Sequence, residues 1–315
     1  GAGSDASGGS SIALGDNASA SAGGALAAGA GSVAATADSI SLGTGAGVGT
    51  LGDAGGDRTD HIAIGRASGQ SVAGNQNTAI GLQAGSSVEG DQNVAIGTRA
   101  GQGLVGNRNV ALGHEANLNA GGVDRATAIG GQTSAARDAV AVGYEAEAED
   151  SGVALGTNTS AGSTAVALGR NAEAEGGSVA LGAGSAAVSS DAGGAGYLTG
   201  SSFSDGTVVS VGNTESGQSR RIVNVADGAQ DLDAVNVGQL KGAQQSVATL
   251  IGGGVVLNPD GTYSPITVQN TDGDDVTFTT VVEAIGAVTS GEVDILPVDA
   301  VRYNAEGGIS NLSAG

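Results

Sequence analysis

Residues Gly47-Val48-Gly49-Thr50-Leu51-Gly52 read GxGxxG, the spacing with which a dinucleotide fold cradles a pyrophosphate. Two histidines, His61 and His114, and an acidic trio, Asp272, Asp274 and Asp275, are the side chains that could hold a metal ion. Glu145 and Glu147 form a carboxylate pair of the kind used in general acid–base work. Each chemistry needs elements that aim these groups. The GxGxxG run is followed by Asp53-Ala54-Gly55-Gly56-Asp57, with no amphipathic helix to complete a phosphate site. His61 precedes a repeated phrase and His114 follows one, so stacking of repeats does not bring them together. The aspartate spacing matches no EF-hand loop and reads as a solvated turn. Glu145 and Glu147 alternate along one exposed strand face rather than facing a cleft. No nucleophile, base and orienting group occur together. The sequence therefore predicts no catalytic residue, no cofactor, no metal site and no enzyme.

What orders the chain is a five-residue phrase. It reads Ser11-Ile12-Ala13-Leu14-Gly15 and returns before Gly65, Gly81, Gly97, Gly113, Gly130, Gly143, Gly156, Gly169 and Gly182, with weaker copies before Gly29 and Gly43. The intervals are 14, 14, 22, 16, 16, 16 and 17, then 13 four times. A period this short excludes paired-helix repeats and suits one turn of a parallel β-coil. Apolar or β-branched residues stand three and one before each glycine, with Ala between them in every copy but the one with Ser41. That period of two is a strand. The face carrying Val, Ile and Leu is expected to be buried, and the methyl face to meet a close neighbour, another chain. The closing glycines are expected at sharp corners with positive φ. Polar stretches after them, such as Glu145-Ala146-Glu147-Ala148, read as half-exposed second strands. Twelve coils stacked about 4.8 Å apart would make a rod of roughly 60 Å. The 22-residue interval holds a Gly- and Asp-rich insertion, residues 45–60.

Composition agrees with a coil. Glycine supplies 60 of 315 residues, yet without the strict period of three that collagen needs. There are six aromatic residues and no Cys, so neither a bulky core nor a thiolate metal site is available. Asp and Glu number 32 against 11 Lys and Arg, a net charge of -21 that repels nucleic acid. No apolar run is long enough to span a membrane as a helix. A single coil has a thin core, which favours oligomerisation.

Beyond the repeat come Val208-Val209-Ser210-Val211-Gly212, of strand character, then Arg220-Arg221-Ile222-Val223-Asn224-Val225-Ala226 and Asp233-Ala234-Val235-Asn236-Val237-Gly238-Gln239-Leu240. The last segment resembles the DAVNVxQL neck of trimeric autotransporter adhesins, and the repeat resembles their YadA-like head. The resemblance implies a left-handed parallel β-roll homotrimer that narrows through the neck onto a coiled coil. It gives Arg221, Asp233, Asn236, Val237, Gln239 and Leu240 structural roles in the neck, with Arg221 pairing across chains to Asp231 or Asp233. Further on, Leu240, Val247 and Leu250 suit a short coiled-coil helix, Gly252-Gly253-Gly254 breaks it, and Asn258-Pro259-Asp260-Gly261 signals a turn. Strands over Tyr263–Val268 and Val276–Thr280 and a returning helix over Thr280–Val288 complete a segment that resembles the family's FGG-type stalk insertion.

The resulting expectation is an all-β head over 1–200, a neck over 201–241 and a coiled-coil stalk over 242–290 interrupted at about 252–280. A further stalk domain would begin in 291–315. The resemblance implies a bacterial adhesin at the outer membrane, exposed outside the cell, that attaches to host extracellular matrix, cells or surfaces. Its partners would be two copies of itself and a protein or cell-surface ligand, with membrane anchoring only through a region absent from this sequence. A mechanical spacer without its own ligand and an ice-binding β-solenoid are the alternatives.

Overall fold

The structure is a computed structural model that describes all residues except 48–59, 193–199, 201, 203–205, 253, 294–301, 304–308 and 311–315. The GxGxxG run after Gly47 and most of the insertion over 45–60 lie outside the described residues. The chain divides into two units, Gly1–Arg220 and Arg221–Gly315.

The first unit is a parallel β-solenoid. Three-residue strands from Ile12–Leu14 to Val179–Leu181, followed by Val209–Ser210, form a 13-stranded parallel sheet. Val209–Ser210 lies in the stretch that sequence alone assigns to the neck. Register is kept phrase on phrase, with Ala13 over Ala27, Ala27 over Ser41 and Ser41 over Ala63. Amide groups of one coil donate to carbonyls of the next, as Ile12 N does to Ala25 O at 2.9 Å and Leu26 N to Ser39 O at 2.9 Å. This ladder satisfies the backbone without large side chains.

The orientation of the phrase is the reverse of the sequence expectation. The central residues from Ala27 to Ala180 point into the coil and are at most 4% exposed. The flanking aliphatics point out, with Ile12 59%, Leu14 67% and Leu155 38% exposed. The cause is the width of the coil. Opposite Ala79 stands Gly85, where even a Cβ would come within 2.8 Å of the Ala79 methyl. The methyl face thus meets the far wall of its own chain, and nothing larger than Ala or Ser fits between the walls.

The second wall changes along the unit. The first coils pair Ser19–Ala20 with Val33–Ala34, and the 13-residue coils build a five-stranded parallel sheet from Ser134–Ala135 to Ala186–Ala187. In the 16-residue coils the added residues bring buried Val72, Val88 and Leu104 into the core. There the corner is held by a buried asparagine ladder. Asn93 N donates to Asn77 Oδ1 at 2.9 Å, Asn109 N to Asn93 Oδ1 at 3.0 Å and Ala126 N to Asn109 Oδ1 at 2.8 Å. Each amide also donates to a carbonyl of the next coil, Gly90, Gly106 or Val123, at 2.8 Å. Asn117 makes the change back to narrow coils, its Oδ1 accepting from Ala135 N at 2.8 Å.

The second unit contains helix α1 (Val237–Ile251), an antiparallel pair Ile266–Gln269 and Asp275–Phe278, and helix α2 (Val281–Ser290). Arg302–Tyr303 and Ile309–Ser310 form a further antiparallel pair. Buried Ala284 and Ala287 mark the packed face of α2. Among the described residues, no helix is long and apolar enough to cross a membrane.

Candidate functional site

The ten closing glycines named from sequence, Gly15, Gly65, Gly81, Gly97, Gly113, Gly130, Gly143, Gly156, Gly169 and Gly182, all have φ between +109° and +139°. Gly65 illustrates why the residue type is needed. A Cβ there would sit 2.5 Å from the carbonyl oxygen of Gly81 in the next coil. Two residues later the chain turns through a left-handed residue in each coil, as at Asn17 (φ 55°), Arg99 (57°), Glu115 (58°) and Asn158 (53°). Sequence reading missed this corner. Its signals are Asn17, Asn158 and Asn171 with Gly31, Gly45 and Gly184 at the same step, and Ala, Gln, Arg and Glu in the other coils interrupt them.

Two surfaces stand out. The first is the outward aliphatic face of the 13-stranded sheet, where Leu112, Leu155 and Leu181 are 36–38% exposed between half-buried neighbours. Full burial of such a side chain contributes about 1.5–3 kcal/mol, and the third still exposed here roughly 0.5–1 kcal/mol. A row repeated in every coil is therefore a strong driver of association. The second is the set of charged corners. Arg99–Glu115, just after the closing glycines, and Arg125–Asp138 and Arg137–Asp150, just before the strand phrases, are ion pairs that each link one coil to the next. The Arg125 guanidinium holds the Asp138 carboxyl below the usual carboxylate range. The Arg125–Asp138 and Arg137–Asp150 pairs are exposed, so each contributes little to stability, whereas Glu115 is mostly covered.

In the second unit the residues that sequence assigns to a neck fold a loop back onto the start of α1. Asn236 caps the helix, its Oδ1 accepting from Gln239 N at 3.0 Å, and Gln239 completes the capping box. Asn236 Nδ2 also donates to Val225 O at 3.1 Å and Asp227 Oδ1 at 2.6 Å. Gln239 grips Gly228 from both sides, with Oε1 accepting from Gly228 N at 2.9 Å and Nε2 donating to Gly228 O at 2.8 Å. Asp233 Oδ2 accepts from Ala229 N at 2.9 Å and Gln230 N at 3.0 Å. Those two N–H groups hold its carboxyl below the ordinary range. Val237 (68%), Leu240 (54%), Val247 (45%) and Leu250 (86%) leave an apolar stripe of α1 in water. Arg221 is exposed beside this loop in sequence.

Arg220 has a role that sequence reading did not assign. It ends the solenoid unit, and its guanidinium donates to Ser185 Oγ at 2.8 Å, Val211 O at 2.6 Å and Ala183 O at 2.5 Å. It closes the last coil by satisfying carbonyls that have no following strand.

The remaining sequence candidates stay apart. His114 Nε2 lies 3.8 Å from Glu115 Oε1, and His61 Nδ1 accepts from Asn77 N at 3.4 Å at the foot of the asparagine ladder. Asn270 Oδ1 accepts from Asp272 N and Asp274 N, which shapes the turn. Among the described residues no three His, Cys, Asp or Glu side chains converge as metal ligands. Glu147 is exposed on its strand beside buried Ala148.

Residues 221–263 match the family described as the coiled stalk of trimeric autotransporter adhesin. Among solved structures, the chain is similar to the collagen-binding domain of the Yersinia adhesin YadA, with 24% identity over 77% of this chain and 87% of that one, at a TM-score of 0.27. It is also similar to a C-terminal YadA-like domain from Burkholderia pseudomallei, with 33% identity over 34% of this chain and 59% of that one, at a TM-score of 0.23. No curated protein matches.

Proposed function

We propose that this chain, which carries the coiled stalk of trimeric autotransporter adhesins over residues 221–263, is the exposed part of a bacterial surface adhesin. It attaches the cell to extracellular matrix, to other cells or to surfaces, and it works as a homotrimer. Residues 1–200 form the head, 201–241 the neck and 242–290 the interrupted stalk, with 291–315 opening a further stalk domain. The stalk match is the observation that carries the reading. Two features support assembly. The aliphatic row of the solenoid and the apolar stripe of α1 are both left in water by a single chain. Repetition of one surface in three copies converts weak contacts into avidity.

Two measurements test this. Sedimentation of the full chain is expected to give three copies, and a monomer at micromolar concentration would overturn the assembly. Surface-plasmon binding to collagen, fibronectin, laminin and whole cells is expected to show attachment. An intact trimer that binds none of them would make the chain a spacer.

A further inference from the structure

The corner around Tyr144 has a composition that the coil does not require. Tyr144 is the one aromatic side chain among the described residues of the solenoid, and it is 51% exposed. Other coils place Asp16, Ala30, Thr157 or Arg170 at the same step after the closing glycine, so the turn itself needs no ring. The ring lies against Gly131 of the preceding coil, where a Cβ would approach its Cδ2 to 3.3 Å. Its hydroxyl donates to Gln132 Oε1 at 2.7 Å. The Glu145 carboxylate beside it raises the hydroxyl's pKa above the ordinary tyrosine value. The ring is thus fixed with apolar surface held in water.

Gln132 also lines an open depression of roughly 220 Å³ together with Glu115, Leu118, Thr133 and Ser134. Glu115 is held there by its ion pair with Arg99. A fixed aromatic ring, tied through its hydroxyl to the amide of a depression that also holds a carboxylate and the Ser134 hydroxyl, is complementary to a pyranose, which has an apolar C–H face and a rim of hydroxyls. Charge narrows the class. From residue 61 to 144, Arg66, Arg99, Arg108, Arg125 and Arg137 balance five carboxylates, while Glu145, Glu147, Glu149 and Asp150 follow at once. Glu145 beside the ring, with Glu147 and Glu149 on the same wall, would repel an acidic sugar. The corner also lies beyond the closing glycine, off the strand whose outward side chains form the aliphatic row.

We propose that Tyr144, Gln132, Glu115 and Ser134 form a binding site for a neutral saccharide, with the sugar stacked on Tyr144 and its hydroxyls bonded by the other three. This rests on the attachment reading above and gives it a ligand class.

The test uses the full chain on an array of neutral oligosaccharides ending in glucose, galactose, mannose or fucose, followed by titration with the bound compound. Wild type is expected to bind at least one terminal class. Tyr144→Ala and Gln132→Ala are each expected to weaken that binding about tenfold or more. Thr157→Ala, at the same step of the next coil, is expected to leave it unchanged. Unchanged thermal unfolding would show that the variants keep their fold. The site is overturned if wild type binds no neutral glycan, if it binds acidic glycans alone, or if Tyr144→Ala binds as well as wild type. Attachment to matrix or cells that survives Tyr144→Ala would sink the saccharide site alone, whereas wild type that attaches to nothing sinks the adhesin reading.

Discussion

At the scale of single residues, the corners separate two demands on the backbone. Gly65 has both a positive φ and a carbonyl where a Cβ would go, so Gly65→Ala is expected to destabilise the solenoid by about 2–3 kcal/mol. Gly31 has φ 62° and open space around it, at the step held by Asn17, Asn158 and Asn171 elsewhere. Gly31→Asn is therefore expected to be neutral in the same thermal unfolding experiment. The neck has a pH signature. The folded Asp233 carboxyl titrates below its unfolded value, so its contribution is present above about pH 4 and is lost as pH falls through the depressed folded value. Amide exchange at Ala229 and Gln230 should accelerate in that window, and Asp233→Asn should remove the dependence. Such residues are legible in a sequence when one residue type alone meets the demand. The glycine corners were visible for that reason, whereas the left-handed corner at Arg99 and Glu115 was hidden by side chains that only tolerate it.

At the scale of elements, the strand phrase was legible but its facing was not. A period of two says that two faces differ and does not say which is inside. The choice is made by the distance between two walls of one coil, and the bare Gly85 opposite Ala79 shows that distance to be a methyl's width. The asparagine ladder escaped notice for a related reason. Asn77, Asn93 and Asn109 open their phrases where Ala or Ser stands in others, and nothing local distinguishes a buried amide from an exposed one. Asn109 is fully buried and serves Val123 O and Ala126 N. Asn109→Leu should cost about 2–4 kcal/mol by leaving both unsatisfied, read as a lower denaturant midpoint. At the start of α1, Asn236→Ala should destabilise the helix by about 1 kcal/mol or more, and Asn236→Asp should not restore it, because a carboxylate there keeps the cap but would face Val225 O and Asp227 Oδ1.

At the scale of the whole molecule, charge and repetition act together. A net charge of -21 on one chain becomes three times that on a trimer, so raising salt from low ionic strength should raise the unfolding temperature until the carboxylates are screened. A midpoint that does not move with salt would show that the charges are already too far apart to repel. Register has a different consequence. Val153–Leu155 lies between Val140–Val142 and Val166–Leu168 with every residue over its counterpart. Removing residues 157–169 would seat Val153 directly on Val179 and close the seam without a mismatch. In a gene, unequal recombination between such repeats would lengthen or shorten the head by whole rungs, about 4.8 Å at a time. The reach of the head is then inherited separately from its fold, and lineages can tune one without risking the other.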